Sequence, residues 1–163
     1  MQVSLRWLKD YVDIDLTPAE VSDRLTMAGL EVDAVREVGP SFSNVVVARI
    51  IALRRHPNAD KLSLCEVTTG DETLPIVCGA PNIHVGDVVP LARIGAEIPG
   101  GYTIKRSKIR GELSEGMLCS EEELGIGEDT TGVMILPPNL PLGEDLADVL
   151  DLKDTVFDIG ITP

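Results

Sequence analysis

Five short apolar runs, none longer than a single β-strand, dominate the middle of the chain and limit the folds that it can adopt. Clusters of Gly, Pro, Asn and Asp separate the runs, so the chain must turn after almost every one of them. Short strands at this spacing predict a small five-stranded β-barrel. The runs are VVVARIIAL (45–53), LSLCEV (62–67), LPIVCG (74–79), DVVPLARIG (87–95) and GVMILP (132–137).

Helical signals lie outside these runs. Thr17 is a suitable N-cap, Pro18 fits the first helical position, and Glu20 completes a capping box. Ser4 can cap a shorter helix in the same way. A further short helix is predicted at 142–150, where acidic residues in the first turn favour the helix dipole.

Two alternating segments, at 30–38 and 155–162, predict strands that are far apart in sequence. Neither has a better partner, so we expect them to pair. The expected fold is therefore an α+β outer domain with an inserted all-β barrel. The outer domain would comprise 1–39 plus 151–163 and be incomplete at its C-terminal end, and the inserted domain would comprise 40–150.

Composition argues against several classes of protein. No apolar run approaches the roughly 18 residues of a membrane-spanning helix, and Met1 leads directly into a charged amphipathic pattern rather than a signal peptide. The cysteines and histidines lack the close ligand pairs of a zinc site, which predicts idle thiols in a reducing cytoplasm. These residues are Cys65, Cys78, Cys119, His56 and His84.

Charge is distributed unevenly along the sequence. The formal net charge of −13 argues, by itself, against binding to nucleic acid. However, residues 45–112 carry nine basic and seven acidic side chains, whereas residues 113–151 carry ten acidic side chains and no basic one. A locally basic segment is therefore followed by a wholly acidic one.

The stretch HPNADK, at 56–61, mixes turn-forming and hydrogen-bonding residues. Pro57 restricts His56 to an extended conformation, and Asn58 and Asp60 can bond neighbouring backbone groups to close a turn. The stretch links the first two predicted strands, and in a five-stranded barrel this loop is one of those that bind oligonucleotides. A turn without a ligand is the alternative. The basic residues beside the turn are Arg54, Arg55 and Lys61.

A second basic segment, IKRSKIR at 104–110, predicts a strand or an arm. In a strand, Arg106, Lys108 and Arg110 would share one face at roughly 6.6 Å spacing, which suits successive phosphates, and Lys105 would lie on the other face. The alternative is a solvated edge strand. Ser114 follows. It lies either where a nucleic-acid backbone or base can approach closely or in a tight loop that binds nothing. The candidate nucleic-acid contacts are Arg54, Arg55, His56, Asn58, Lys61, Lys105, Arg106, Lys108, Arg110 and Ser114.

No catalytic constellation is expected. No glycine-rich phosphate loop follows a predicted strand, and the serines have no histidine base nearby in sequence. The acidic run 121–123 would point its carboxylates in different directions on a helical turn, so a solvated face is expected there rather than a metal site. Catalytic residues, metal ligands and a cofactor are therefore not predicted within this chain.

Several stretches resemble a known family. HPNADKLSLCEV, IVCGAPNIHVGDVVPLARIGAEIPGG, IKRSKIRGELSEGMLCSEEELGI and GVMILP are similar to the tRNA-binding oligonucleotide-fold domain of bacterial phenylalanyl-tRNA synthetase beta chains. Relatives of this domain occur in methionyl-tRNA synthetase and in free-standing tRNA-binding proteins. SLRWLKDYVDIDLTPAEVSDRLTMAGLEVD resembles the start of the beta chain, and VFDIGITP resembles its return strand. Gly160 departs from the family, in which an acidic residue is more common there.

The resemblance implies a tRNA-binding part of an aminoacyl-tRNA synthetase, a ligase of protein biosynthesis. In the family, the beta chain joins an alpha chain in a cytoplasmic heterotetramer that attaches phenylalanine to tRNA using ATP and magnesium. The alpha chain carries the synthetic site, and editing and anticodon recognition lie beyond Pro163. The implied partners are therefore tRNA, bound weakly, the alpha subunit and the rest of the beta chain, with no membrane.

Two alternatives remain open at this point. The first is a protein-docking module with little RNA contact, because 40–150 carries nine basic and sixteen acidic residues and offers only Phe42 and Tyr102 for stacking on bases. The second is a free-standing tRNA-binding protein. It is disfavoured because the outer helices and the abrupt ITP end have no purpose there, and the end suggests an excerpt of something longer.

Overall fold

The structure is a computed structural model that describes residues 1–161. The chain forms two compact units: the first combines Met1–Gly39 with the described residues from Asp151 onward, and the second is Pro40–Leu150. The elements, in chain order, are β1 (Gln2–Ser4), α1 (Leu5–Lys9), α2 (Pro18–Met27), β2 (Val32–Val38), β3 (Ser43–Arg55), β4 (Ser63–Thr68), β5 (Thr73–Cys78), β6 (Val88–Ile98), β7 (Tyr102–Thr103), β8 (Ser107–Ile109), β9 (Glu112–Ser114), β10 (Gly116–Leu118), α3 (Leu146–Val149) and β11 (Asp154–Ile159).

The first unit contains a three-stranded antiparallel sheet in the order β1–β11–β2. The predicted pairing of the two distant strands is confirmed, because β11 lies beside β2; Thr162 of the predicted strand lies outside the described residues. Phe157 and Ile159 of β11 are buried in the core of this unit together with Val21 of α2. The capping box of Thr17 and Glu20 is also confirmed.

The second unit is built around β3, the longest strand. Its first half pairs with β6 and its second half with β4, which gives the antiparallel order β10–β6–β3–β4–β5, with β7 beside β6. The core is almost entirely aliphatic, as the scarcity of aromatic residues requires. Its fully buried members include Val47, Ile50, Val67 and Leu91. The chain is thus mostly β, with few and short helices.

The predicted closed barrel is not confirmed, because β10 and β5 are the two edge strands of this sheet and do not pair with each other. The edges approach each other where the Glu115 N–H donates to the Pro75 carbonyl at 2.9 Å. Proline has no N–H with which to return the bond, so a ladder cannot start at Pro75. The sheet is therefore open by its hydrogen bonding.

The predicted strand at 132–137 is wrong. Only Leu136 forms an isolated bridge, to Val88, and the strand beside β6 is β10, from a segment that was predicted to be a loop. The Asn82 side chain accepts from the Val133 N–H at 3.0 Å and donates to the Val133 carbonyl at 2.9 Å. One side chain thus satisfies both backbone groups of Val133, while the Met134 and Leu136 N–H groups bond to the Cys119 and Val88 carbonyls at 3.0 and 2.8 Å.

Other local predictions were partly right. The helix predicted at 142–150 is reduced to α3, capped by Asp145. The predicted single turn after Ser120 is present, because Leu124 N–H bonds to the Ser120 carbonyl at 3.2 Å. A tight turn at 99–101 joins β6 to β7.

Candidate nucleic-acid interface

The first basic segment lies at the end of β3. Burial along this strand falls from Ala48 and Ile50, which are inaccessible, to Arg54 and Arg55, which are exposed. The following loop closes when His56 N–H donates to the Leu62 carbonyl at 3.0 Å. The chain therefore leaves the core and returns to it with its cations at the surface.

His56 is a buried connecting residue, only 5% exposed. Its Nε2–H donates to the Ile109 carbonyl at 2.9 Å, and its Nδ1 accepts from the Asn58 N–H at 3.0 Å. A carbonyl only accepts and a backbone N–H only donates, so a singly protonated imidazole with its proton on Nε2 satisfies both bonds. His56 thus joins its own loop to the second basic segment.

Asn58 strengthens the same connection. Its Nδ2 donates to the Arg110 carbonyl at 3.3 Å. Two side chains of the β3–β4 loop therefore bond to two consecutive backbone carbonyls of the second basic segment. The structure thus brings together two segments that are far apart in sequence, since these two bonds join residues 53 and 52 positions apart.

The second basic segment is a short hairpin, β8–β9, with Arg110 and Gly111 at its tip. Both tip residues have positive φ, 50° and 89°, as in the two-residue turns that match the twist of a hairpin. Glycine adopts this conformation freely at the second position. The hairpin therefore presents Arg110 at an exposed tip.

The expected row of three cations on one strand face is wrong. β8 spans only Ser107–Ile109, so Lys108 alone of the three lies within a strand. Arg106 is paired instead with Glu115, with 2.6 Å between Nη2 and Oε1. The exposed cations that the two segments bring together are Arg54, Arg55, Lys61, Lys108 and Arg110, and Lys105 is exposed just before the hairpin.

A groove of about 220 Å³ lies beside these cations. Leu64 and Ile76 contribute to its apolar lining, and Arg54, Glu66 and Glu112 are the charged residues that line it. Arg54 thus borders both the groove and the exposed basic surface. The lining contains no aromatic side chain, so the groove offers apolar contact and hydrogen bonds rather than base stacking.

Ser114 is buried, with only 2% of its surface exposed. Its Oγ accepts from the Val77 N–H at 3.1 Å and donates to the Gly116 carbonyl at 3.1 Å. These bonds connect the end of β9 to β5, the edge strand that Pro75 interrupts. In this structure Ser114 supports the hairpin and presents no hydroxyl to solvent.

The cysteine thiols lie in the core of the second unit. Burial raises the pKa of Cys65 and of Cys119 to about 12, and it also raises the pKa of Cys78. They remain protonated at neutral pH, which disfavours them as nucleophiles or ligands. Within residues 1–161, no group of three His, Cys, Asp or Glu side chains could hold a metal ion, and no helix is both long and apolar enough to cross a membrane.

Sequence reasoning missed the residues that hold the two segments together. The acceptors are the backbone carbonyls of Ile109 and Arg110, which carry no side-chain signal. Glu115, the partner of Arg106, was treated only as part of a loop. Part of a signal for the hairpin was nevertheless present, because a glycine such as Gly111 suits the second position of a two-residue turn.

The chain matches the family model described as "Putative tRNA binding domain" over residues 45–145. The whole chain is 60% identical to the phenylalanine–tRNA ligase beta subunit of Geobacter metallireducens and to that of Geobacter sulfurreducens, in both cases over 163 residues. That of Legionella pneumophila is 53% identical. These matches confirm the resemblance found in the motifs.

The match covers all of this chain but only a small part of its relatives. The chain is covered completely but spans only 20% of the length of the two Geobacter relatives. Among solved structures, the C-terminal domain of Plasmodium vivax p43 gives a TM-score of 0.46 at 20% identity, covering 62% of this chain and 57% of that one. No conclusion rests on that structural likeness.

Proposed function

Because this chain belongs to the family of putative tRNA binding domains, we propose that it is the tRNA-binding N-terminal part of a phenylalanine–tRNA ligase beta subunit. Identity over the whole chain to such beta subunits supports this role. We propose that the two compact units are its two domains, and that the unit formed by 40–150 is an inserted oligonucleotide-fold domain.

The proposed binding surface consists of the exposed cations of the β3–β4 loop and the β8–β9 hairpin. The observation that carries it is the pair of bonds from His56 and Asn58 to the hairpin carbonyls. These bonds bring the cations of the two segments together, so that they form one group of charges rather than two smaller ones. The residues proposed to contact tRNA are Arg54, Arg55, Lys61, Lys105, Lys108 and Arg110.

The remaining four candidates have partners that fit a supporting role. His56 and Asn58 fix the loop to the hairpin, and Ser114 joins the hairpin to β5. Arg106 is partly neutralised by Glu115, so we assign it a smaller part in the attraction of phosphate. We propose that these four act mainly by positioning the cations.

The chemistry of this surface suits the phosphate backbone better than the bases. Lysine and arginine attract successive phosphates, and the attraction decreases with salt because counterions are released on binding. The aromatic residues Phe42 and Tyr102 lie outside both basic segments, and Phe42 is buried. Binding by this part of the chain is therefore expected to be weak and largely independent of sequence.

For the complete protein, we propose a cytoplasmic heterotetramer with an alpha subunit, which attaches phenylalanine to tRNA using ATP and magnesium. The described residues contain no group of three ligands suited to a metal ion, so no step through magnesium is assigned to them. The role proposed for this segment is to hold tRNA, while the rest of the enzyme performs the chemistry.

The test is a fluorescence titration of labelled phenylalanine tRNA at several salt concentrations. In the double variant Lys108→Gln/Arg110→Gln, the slope of log affinity against log salt is expected to flatten by roughly 1.4 to 1.8, at about 0.7 to 0.9 per phosphate contact. The control Lys9→Gln/Arg24→Gln removes the same charge from exposed positions in the first unit and should leave the slope unchanged.

Two results would count against the proposed surface. The first is an unchanged slope in the hairpin variant when its amide spectrum remains that of the folded protein. The second is an equal change in the control variant, since that would mean that only the total charge matters.

A further inference from the structure

The second unit has another concave surface, a groove of about 540 Å³. It is formed by the β6–β7 turn, β7, β10 and the capped turn that follows Ser120. The lining is mostly apolar and carries two carboxylates. The residues that the argument uses are Pro99, Tyr102, Ile104, Met117, Glu122 and Glu123. None of them belongs to the basic surface proposed to contact tRNA.

Tyr102 provides an accessible aromatic ring in this groove. It is 69% exposed and is the only tyrosine of this unit. Its ring lies against Gly100, where an added Cβ would come within 3.4 Å of two ring carbons. Gly100 also has a φ of 95°. A glycine at the turn therefore leaves room for the ring beside the groove.

The two carboxylates are carried by a well-defined turn. The Ser120 N–H donates to Glu123 Oε2 at 2.8 Å, and the Glu123 N–H donates to Ser120 Oγ at 3.1 Å, which is a reciprocal capping arrangement. Leu124, the next residue, is completely buried and anchors the turn. Glu122 and Glu123 are thus exposed on a backbone that is fixed at both ends.

The charged side chains in the sequence around these carboxylates are all acidic. No lysine or arginine occurs from residue 113 to residue 151, and ten acidic residues do. The lining of the groove likewise contains no basic side chain. Two carboxylates and no basic side chain in the lining favour a cationic occupant over a phosphate.

We propose that this groove binds an arginine side chain presented by an extended, partly apolar segment of a partner protein. The planar guanidinium can stack on the ring of Tyr102 and donate paired hydrogen bonds to the carboxylate of Glu122, because one oxygen of Glu123 already accepts from the Ser120 N–H. The apolar walls formed by Ile104 and Met117 accept the methylene stem and a neighbouring aliphatic side chain. This surface shares no lining residue with the proposed tRNA contacts, although Lys105 directly follows Ile104 in the sequence.

The size of the groove agrees with such an occupant. A volume of about 540 Å³ lies within the range of roughly 300 to 1,000 Å³ for pockets that enclose a ligand of several side-chain groups. Lysine would satisfy the charge but not the paired geometry or the stacking, since its ammonium group is a point charge. Arginine is therefore the residue that matches all three features of the groove.

The test is an NMR titration of the ¹⁵N-labelled chain with a synthetic hexapeptide of alternating leucine and arginine. The amide shifts are expected to change at Tyr102, Thr103, Glu122 and Glu123. A peptide with citrulline in place of arginine keeps the shape and loses the charge, so its affinity should be at least about tenfold lower. This comparison needs no variant of the protein.

Variants then locate the charge. Glu122→Gln/Glu123→Gln is expected to weaken binding of the arginine peptide by about tenfold. The matched control Glu128→Gln/Glu144→Gln removes two exposed acidic charges from the same stretch outside the groove lining and should change the affinity less than about twofold.

Several outcomes would overturn the proposal. Equal weakening in the two double variants would mean diffuse attraction by the acidic stretch, and equal binding of the citrulline peptide would mean that charge is not recognised. Shifts centred elsewhere would place the contact on another surface. If phenylalanine tRNA shifts the same amides more strongly than the peptide does, the groove is a nucleic-acid contact instead.

Discussion

His56→Ala is the substitution that most sharply probes how the basic surface is assembled. It removes the donor to the Ile109 carbonyl and the acceptor of the Asn58 N–H, and it empties a site where the ring is only 5% exposed. Each lost hydrogen bond costs about 1 kcal/mol net, and orphaned groups and lost packing add to this. The expected loss in the free energy of unfolding is about 2 to 4 kcal/mol.

The measurement combines urea unfolding with amide hydrogen exchange. Exchange should accelerate most at Ser107–Ile109 and Glu112–Ser114, the two strands of the hairpin, because the loop no longer holds the hairpin tip. Affinity for tRNA should fall several-fold in the folded variant, even though no exposed cation has been removed. This last effect distinguishes a positioning residue from one that merely stabilises the core.

The chain supplies a matched control in its second histidine. His84 has a side chain that is 78% exposed and 3.6 Å from Asp87, so His84→Ala should change stability by less than about 0.5 kcal/mol. A loss below 0.5 kcal/mol for His56→Ala, or hairpin exchange that does not change, would refute the assignment of His56 as the connection between the two segments.

Three further predictions concern the fold. Residues 40–150 expressed alone should give dispersed amide signals and a cooperative melt, and failure of both would argue against an inserted domain. Gly116→Ala should destabilise by about 2 to 4 kcal/mol, because the new Cβ would lie 2.8 Å from a backbone oxygen, whereas Gly86→Ala, in open space at positive φ, should cost only about 1 kcal/mol in the same urea titration. Hydrogen bonds from Arg36 hold the pKa of Asp158 below its ordinary value of 3.8. The contribution of Asp158 to the free energy of unfolding is therefore present above pH 3.8 and is lost as the pH falls through the folded-state pKa. In Asp158→Asn, the urea midpoint should depend less on pH in the acid range.

Local signals predicted the first unit well. The capping box of Thr17 and Glu20 depends on residues three positions apart, so the sequence alone was sufficient to predict it. The pairing of β2 with β11 also followed from the sequence, because neither segment had another partner. The strand at 132–137 failed for a long-range reason: Asn82, about fifty positions earlier, bonds both backbone groups of Val133, and only Leu136 forms a bridge to β6.

The same contrast holds for the candidate site. The basic residues were visible in the sequence, but the length of β8 was not, and a three-residue strand cannot align three alternating cations. Neither could the sequence predict that His56 is buried, since its acceptor is a backbone carbonyl 53 positions away. Side-chain composition thus indicated which residues are charged, while tertiary contacts determined which of them come together.

In the proposed function, the β3–β4 loop and the β8–β9 hairpin form one tRNA-binding surface. The most direct measurement is the change in ¹⁵N amide shifts of the whole chain as phenylalanine tRNA is added at low salt. The largest changes are predicted at 54–61 and at 108–111, in both segments together and with the same apparent affinity. Changes confined to one segment, or centred on the groove around Tyr102 or on the first unit, would contradict the claim.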